Sequence, residues 1–325
     1  MQSILAVTVP FFALVLAGYL AARRHVLPES AIPGLNAFVL YFALPCMLFR
    51  FGNSTPVLEL LNPSAFAVWL VSALLLVLVT VAFSRNRRVG LKDAAFGALV
   101  AAFPNTGFMG LPLMAALMGP AATAPMVTTM LVDLFVTSSL CIALAEAATA
   151  AADHGAGARA AAVRALRGAI SNPLPWAIAL GALGSALGFK LTGPPDTVVR
   201  LLADAATPVA LFTIGAVLYR AGQHVHGRTA AVDFVPVALI KLFLHPLLVF
   251  ALAMAARVLG APLSGLQVVV LTLTAALPSA SNVSLLAERY GADNGRIARI
   301  IMTSTVFAFV SFSTLAWLFG VHRHG

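Results

Sequence analysis

Residues 101–113 read AAFPNTGFMGLPL and interrupt a segment that is otherwise as apolar as a membrane span. Proline removes a backbone hydrogen-bond donor and clashes with the preceding helical turn, so a helix in this segment is expected to break at Pro104. In lipid, each freed backbone group costs several kcal/mol unless protein or ligand satisfies it. A break at this depth therefore predicts a cavity or a binding site.

A second segment repeats the pattern. Residues 276–291 read ALPSASNVSLLAERYG, and Pro278 is again followed by small polar residues. The half-helix that starts after each proline presents free N–H groups and a positive dipole end, which suits an anion. Neither break contains a carboxylate, which argues against a metal cation. The predicted substrate-binding residues are Pro104, Asn105, Thr106, Gly107, Pro278, Ser279, Ser281 and Asn282.

The composition is that of a polytopic membrane protein. Of the 325 residues, 61% are hydrophobic and 10% are charged, whereas soluble domains carry roughly 25% charged residues. The net charge of +9 does not indicate nucleic-acid binding, because the basic residues lie in short clusters between apolar runs. Cys46 and Cys141 lie within apolar runs and are interpreted as small hydrophobic residues, not as a disulfide or metal ligands.

Ten apolar runs of about 20 residues predict ten transmembrane helices. Most basic residues, Arg296 among them, fall in the loops on one side, which the positive-inside rule makes cytoplasmic. Both termini are then expected on the non-cytoplasmic side. The first run is an uncleaved span and not a signal peptide, because its basic residues follow it. The predicted spans are 3–22, 33–52, 64–84, 93–117, 122–146, 170–189, 197–219, 232–257, 263–287 and 298–320.

The ten spans divide into two halves of five. Gly18 precedes Pro45 by 27 residues, as Gly181 precedes Pro208, and both prolines precede an apolar tetrad ending in Leu-Phe. Since five is odd, the second half would enter the membrane from the opposite side, as in the inverted repeats of secondary transporters. Chance similarity between two Leu- and Ala-rich halves is the alternative. The predicted units are 1–147, a cytoplasmic linker 148–168, and 169–325.

Four ionisable residues within the spans are candidates for ion coupling or for balancing the substrate charge: Asp133, Asp204, Lys241 and His245. A charged group inside a membrane is costly and usually functional. Asp133 is either a proton or sodium site or a hydrogen-bond partner of a neighbouring Ser or Thr. Asp204 is either part of a proton relay or an interfacial carboxylate. Lys241 and His245 share a helix face, where Lys241 pairs with an acid, balances the substrate or extends to the surface.

The motif PNTGFMGLPL, residues 104–113, resembles the Pro-Asn-Thr-x-x-Met-Gly-x-Pro-Leu of the auxin efflux carrier family. This family includes plant PIN-type carriers and bacterial malonate or malate permease-like members. The resemblance continues in LADAATPVALFTIG, residues 202–215, and in residues 276–291, and extends from the first span to the tenth. It implies an all-α fold of the bile-acid-symporter and NhaA type, in which the broken spans four and nine cross. Spans 1, 2, 6 and 7 would form an often dimeric scaffold, and spans 3–5 and 8–10 the moving domain of an elevator-type carrier.

The resemblance also implies organic acid anions as substrates, with Asn105 matching a substrate-contacting Asn. Where plant members have Gln-Gly-Ile-Val after the ninth-span proline, this chain has Ser-Ala-Ser-Asn, which favours an acid smaller than auxin. We therefore predict a homodimeric secondary transporter of a small mono- or dicarboxylate such as malonate or malate, in a bacterial inner membrane and without a cofactor or metal. The alternative is a sodium- or proton-coupled carrier of another anionic metabolite, including auxin-like acids.

An intramembrane enzyme and a channel are less favoured. The sequence contains no GxSxG, HExxH or GxxxxGK[ST] motif, so it offers no recognisable nucleophile, metal or nucleotide site. A channel would line its pore with polar positions on several helices, whereas the polar residues here concentrate at two breaks. We predict a carrier and not an enzyme.

Overall fold

The computed structural model describes residues 2–54, 62–153, 173–223 and 230–321. Within these ranges the fold is all-helical and contains no β-strand beyond one isolated bridge. Seven helices in the described residues are long and apolar enough to cross a membrane: Ile4–Arg23, Ala31–Ser54, Pro63–Ser84, Pro120–Thr149, Pro194–Arg220, Ala231–Val258 and Asn294–Leu318. The chain is thus a polytopic helical membrane protein.

The α-helices are numbered along the chain: α1 (Gln2–Arg23), α2 (Ala31–Phe38), α3 (Leu44–Ser54), α4 (Pro63–Ser84), α5 (Leu91–Ala102), α6 (Leu111–Met118), α7 (Thr123–Val132), α8 (Ser138–Asp153), α9 (Pro173–Ala186), α10 (Pro194–Gln223), α11 (Ala231–Leu239), α12 (His245–Val258), α13 (Gly265–Ala275), α14 (Asn282–Arg289) and α15 (Asn294–Leu318). Four π-helical turns continue or join them: Val39–Ala43, Thr106–Gly110, Asp133–Thr137 and Ile240–Leu244. A 3-10 turn, Pro120–Ala122, precedes α7.

Side-chain caps fix several helix starts. The Asn62 side chain accepts a hydrogen bond from the Ala65 amide at 2.9 Å, with proline in the first turn of α4. Ser264 and Gln267 form a reciprocal capping box at the start of α13. Such caps satisfy amides that the first helical turn leaves without a partner.

Both breaks predicted from the sequence are present. α5 ends at Ala102, just before Pro104, and α13 ends at Ala275, just before Pro278. Each of the two interrupted spans is divided into short helices, none of which is long enough to cross a membrane alone. Helix α9 is described only from Pro173, and its described part is also too short. The structure therefore supplies seven long spans, and the count of ten stays a prediction.

The linker predicted at 148–168 lies mostly outside the described residues. Helix α8 continues to Asp153, and residues 154–172 are not among those described. The division of the chain into two halves at this linker stays a prediction.

The helices form two groups that share one buried core. In the first group, α1 packs along α10 and α3 packs along α9. In the second, α4 packs against α5 and α12, α5 against α8, and α11 against α15. The groups meet where α15 and the π turn Thr106–Gly110 contact α10, and where α15 and α6 contact α1. The broken helices therefore lie in the second group, beside the first.

The first group packs through reciprocal glycine contacts. A Cβ on Gly18 of α1 would overlap the Phe212 carbonyl of α10, and a Cβ on Gly215 of α10 would overlap the Val15 carbonyl of α1. Between α9 and α3 the same contacts recur at positions 163 residues away, with Gly181 against the Phe49 carbonyl and Gly52 against the Ile178 carbonyl. At both crossings the helices approach backbone to backbone, which only glycine permits.

Replacing Gly18 or Gly181 by alanine should destabilise the protein, because the added methyl group pushes the paired helices apart. We expect each variant to lose about 1–3 kcal/mol of folding free energy, the usual cost of overpacking. Thermal unfolding of the purified protein in detergent measures the loss. The control is Gly34→Ala, since a Cβ at Gly34 has no described atom within 4 Å. Equal melting temperatures for Gly18→Ala and Gly34→Ala would contradict the contact.

Candidate functional site

The two breaks pair with each other through a short antiparallel bridge. The Asn105 amide donates to the Pro278 carbonyl at 2.8 Å, and the Ala280 amide donates to the Phe103 carbonyl at 3.0 Å. These bonds satisfy main-chain groups that the interrupted helices would otherwise leave free in the membrane interior. Each break thus supplies the hydrogen bonds that the other needs, and the two segments cross in direct contact.

Neighbouring groups position the half-helices that leave the crossing. The Asn105 carbonyl accepts from the amides of Met109 and Gly110, at 3.2 and 2.9 Å, and so opens the π turn before α6. The Ser279 amide donates to the Ser304 hydroxyl of α15 at 3.2 Å. Helix α15 thereby stabilises the main chain of the second break.

Four side-chain oxygens at the crossing are buried without a hydrogen-bond partner among the described residues: Asn105 Oδ1, Thr106 Oγ1, Ser279 Oγ and Asn282 Oδ1. Asn105, Thr106 and Ser279 are at most 2% exposed. An unsatisfied buried polar group costs about 1–3 kcal/mol, and a polar ligand at the crossing would remove that cost. Four of the eight residues predicted to bind substrate thus lie together at the crossing and offer hydrogen-bonding groups to a polar ligand.

Both positive and negative helix ends lie at the crossing, since α5 and α13 end there and two further helical segments begin there. The π turn that leads into α6 begins at Thr106, and α14 begins at Asn282, so two helix N-termini start at the breaks. Each helix N-terminus carries a partial positive charge, although the Thr106, Val283 and Ser284 amides already donate to main-chain carbonyls. Ser281 and Asn282 form the start of α14, while Gly107 is half-buried in the π turn. Residues 101–113 and 276–287 contain no Asp, Glu, Lys or Arg to oppose or replace these dipoles.

A second polar cluster surrounds Asp133, which lies at the start of a π turn and is 1% exposed. Its Oδ1 accepts hydrogen bonds from Trp69 Nε1 at 2.9 Å and from Thr137 Oγ1 at 3.2 Å. Oδ2 has no partner among the described residues. The predicted bond to a neighbouring Thr is present, and the free oxygen leaves room for a further partner.

Lys241 connects this cluster to the crossing. Its Nζ donates to the Ala275 carbonyl at 2.9 Å and lies 3.0 Å from His245 Nδ1. Ala275 is the last residue of α13, so the ammonium group stabilises the negative end of that helix just before Pro278. Lys241 is fully buried and does not extend to the surface. It interacts electrostatically with Asp133, although neither forms a direct ion pair with a described residue.

Three residues outside the predicted set shape these two sites. Trp69 holds Asp133 and contacts the His245 ring at a centroid distance of 5.3 Å, and Ser304 supports Ser279. Arg296, counted among the loop charges in the sequence, lies in α15 and is only 2% exposed. The apolar surroundings of Trp69 and the Thr-Ser-Thr run around Ser304 gave no local sign of their partners.

Asp204 lies apart from both clusters. It is exposed on α10, at the position that corresponds to Tyr41, 163 residues earlier, which is exposed as well. Its predicted role in a proton relay stays a prediction.

Comparisons with known proteins agree with a transporter. The family described as "Membrane transport protein" matches residues 3–317. The chain is 29% identical over 326 residues to a protein named "Putative malonate transporter" of Rhizobium meliloti (strain 1021), covering 98% of this chain and 96% of the relative. It is 24% identical to an uncharacterized transporter of Escherichia coli (strain K12), over 95% of each chain. It is also 28% identical to an uncharacterized transporter of Methanothermobacter thermautotrophicus, over 92% of each chain.

Replacing Trp69 by phenylalanine should destabilise the protein, because it removes the indole N–H from Asp133 while keeping an aromatic ring beside His245. We expect a loss of roughly 1–2 kcal/mol, the size of a buried hydrogen bond in a membrane protein. Thermal unfolding measures it, with Trp317→Phe, whose side chain is half exposed, as the control. If both variants melt together, the Trp69–Asp133 bond contributes nothing to stability.

Proposed function

Because the chain belongs to the membrane transport protein family, the auxin efflux carrier family that its PNTGFMGLPL motif resembles, we propose that it is a secondary transporter of small organic acid anions. The observation that carries this proposal is the set of four side-chain oxygens that have no hydrogen-bond partner among the described residues and lie where two helix N-termini begin. The substrate binds there, held by Asn105, Thr106, Ser279 and Asn282.

The chemistry of the crossing fits a carboxylate. Hydroxyl groups of Thr106 and Ser279 donate to carboxylate oxygens, and the amide groups of Asn105 and Asn282 present either donors or acceptors according to their orientation. The two helix N-termini supply positive potential, and Lys241 offsets the negative C-terminal end of α13. A small mono- or dicarboxylate meets these conditions, and the named relative makes malonate the first acid to test.

The proposed architecture has ten spans in two inverted halves, with each broken helix and α9 counted as one span. The matching glycine contacts of α1 with α10 and of α9 with α3, together with one break in each half, support this repeat. The group of α1–α3, α9 and α10 is the scaffold, and the remaining helices form a domain that moves against it as an elevator. The protein functions as a homodimer in a bacterial inner membrane, with both termini on the non-cytoplasmic side.

We further propose that a proton drives transport through the cluster of Asp133, Lys241 and His245. All three are buried, and Lys241 contacts the end of α13, the helix that leads into the second break. Where Lys241 is protonated, its ammonium group disfavours a second cation such as sodium near Asp133 through like-charge repulsion. A proton needs no separate coordination site, because it binds directly to the carboxylate, amine or imidazole of these side chains.

Purified protein in liposomes should take up labelled malonate, and Asn105→Ala should reduce the rate at least about tenfold, the effect of losing roughly 1.4 kcal/mol of substrate binding. The control is Asn36→Ala, since Asn36 lies in α2, outside the second group. Size-exclusion profiles establish that both variants are folded. Asn105→Ala protein that carries malonate at the normal rate would refute the site.

Lys241→Met should abolish the response of uptake to an imposed pH gradient while leaving malonate exchange across the membrane at equal pH. Lys190→Met is the matched control, because Lys190 is exposed in a loop. Gradients of pH and of sodium are imposed separately on each protein. A wild-type protein that responds to sodium and not to pH would contradict proton coupling, and so would gradient-driven uptake by Lys241→Met.

A further inference from the structure

Arg296 joins the first turns of three helices. It lies in the first turn of α15, where its Nε donates to the Asp233 carbonyl of α11 at 2.7 Å and its Nη1 donates to the Asp93 carbonyl of α5 at 2.9 Å. The side chain is 2% exposed, so one guanidinium connects α5, α11 and α15 inside the protein.

A glycine makes room for this guanidinium. A Cβ on Gly97, one turn beyond Asp93 in α5, would lie 2.7 Å from Arg296 Nη1 and 3.1 Å from Nη2. The nearest atoms to that Cβ all belong to Arg296. The lack of a side chain at Gly97 therefore leaves the space that the Arg296 guanidinium occupies.

Three carboxylates offset part of the cost of burying the Arg296 charge. Asp93, Asp233 and Asp293 all interact electrostatically with it. Asp93 Oδ1 accepts from the Asp293 amide at 2.8 Å, and Asp293 caps α15 by accepting from the Arg296 amide at 2.9 Å. These contacts hold the start of α15 against the start of α5, so the arginine sits in a built arrangement and not among loop charges.

Each of the three joined helices leads to part of the proposed transport machinery. α5 leads to the first break, α11 continues through a π turn that contains Lys241, and α15 carries Ser304, which supports Ser279. Ser304 follows Arg296 by eight residues, which is roughly 12 Å along a helix. The axial positions of α5, α11 and α15 at Arg296 therefore determine how the first break, Lys241 and Ser304 lie relative to one another.

We propose that Arg296 is a positioning residue that fixes α5, α11 and α15 in register, so that the two breaks stay paired and Lys241 stays at the end of α13. Arginine suits this role because its planar fork donates to two carbonyls at once, whereas a lysine ammonium on a flexible stem is a single point of contact. The transport readout of this proposal rests on the proposed function, but the positioning itself does not.

Hydrogen exchange tests the positioning directly. In lipid nanodiscs, Arg296→Lys and Gly97→Ala should each speed exchange of the Asn105 and Ala280 amides at least about fivefold, because loss of register lowers the free energy of local opening. Amides of α3 and α9 should exchange as in the wild type. Gly97→Ala keeps the arginine and its charge, so it separates displacement of the fork from loss of charge.

Two matched controls accompany these variants. Arg289→Lys changes an exposed arginine at the end of α14, and Gly222→Ala adds a methyl group where no described atom lies within 4 Å. Neither should alter exchange at the breaks. In the Arg296→Lys background, Gly97→Ala should add little, because lysine lacks the nitrogen atoms that the methyl group would meet.

Transport gives the second readout. Per folded molecule, Arg296→Lys should raise the KM for malonate severalfold, whereas a purely structural arginine would lower the folded fraction and leave KM unchanged. Wild-type exchange rates at both breaks in folded Arg296→Lys and Gly97→Ala would overturn the proposal. Absence of malonate transport by the wild type would refute the proposed function alone, since the exchange experiment needs no substrate.

Discussion

The structure depends on the reciprocal hydrogen bonds between the two interrupted spans. Asn105 and Ala280 each donate a main-chain amide to the opposite break, at 2.8 and 3.0 Å. Without them, both spans would carry unsatisfied main-chain groups in a medium that cannot solvate them. Because main chain satisfies main chain, the side chains of Asn105, Thr106 and Ser279 are left available. The same interaction thus stabilises the fold and leaves these polar groups without a partner among the described residues.

Proline alone does not explain where the helices break. Pro10 and Pro208 lie inside α1 and α10, which continue through them. Pro104 and Pro278 differ because small polar residues follow them and because each faces the other break, whose main chain replaces the lost helical bonds. The sequence could therefore predict these breaks from the residues after the proline, and the family from the same motif.

Contacts between distant residues could not be predicted in this way. The Trp69–Asp133 bond joins positions 64 residues apart, and nothing near Trp69 distinguishes it from an apolar anchor. Arg296 looked like a loop charge because it precedes the apolar part of its helix, yet Gly97 and two carbonyls enclose it. Buried partners of this kind depend on how helices pack, which local composition does not encode. Trp69 and Arg296 therefore support the elements around the candidate site, although their sequence positions do not indicate it.

The glycine contacts of α1 with α10 and of α9 with α3 also have a mechanical meaning. Where main chain rests on main chain, no side chain can rotate to let the helices slide, so these two crossings behave as stiff joints. The contact between the two helix groups at α15 is made by side chains instead. There the rings of Phe12 and Phe309 meet edge to face with centroids 5.1 Å apart, and Thr8 and Ser313 share one long hydrogen bond of 3.5 Å. The two helix groups are therefore joined through side chains, which can change rotamer, whereas the helices within the first group are joined through main chain.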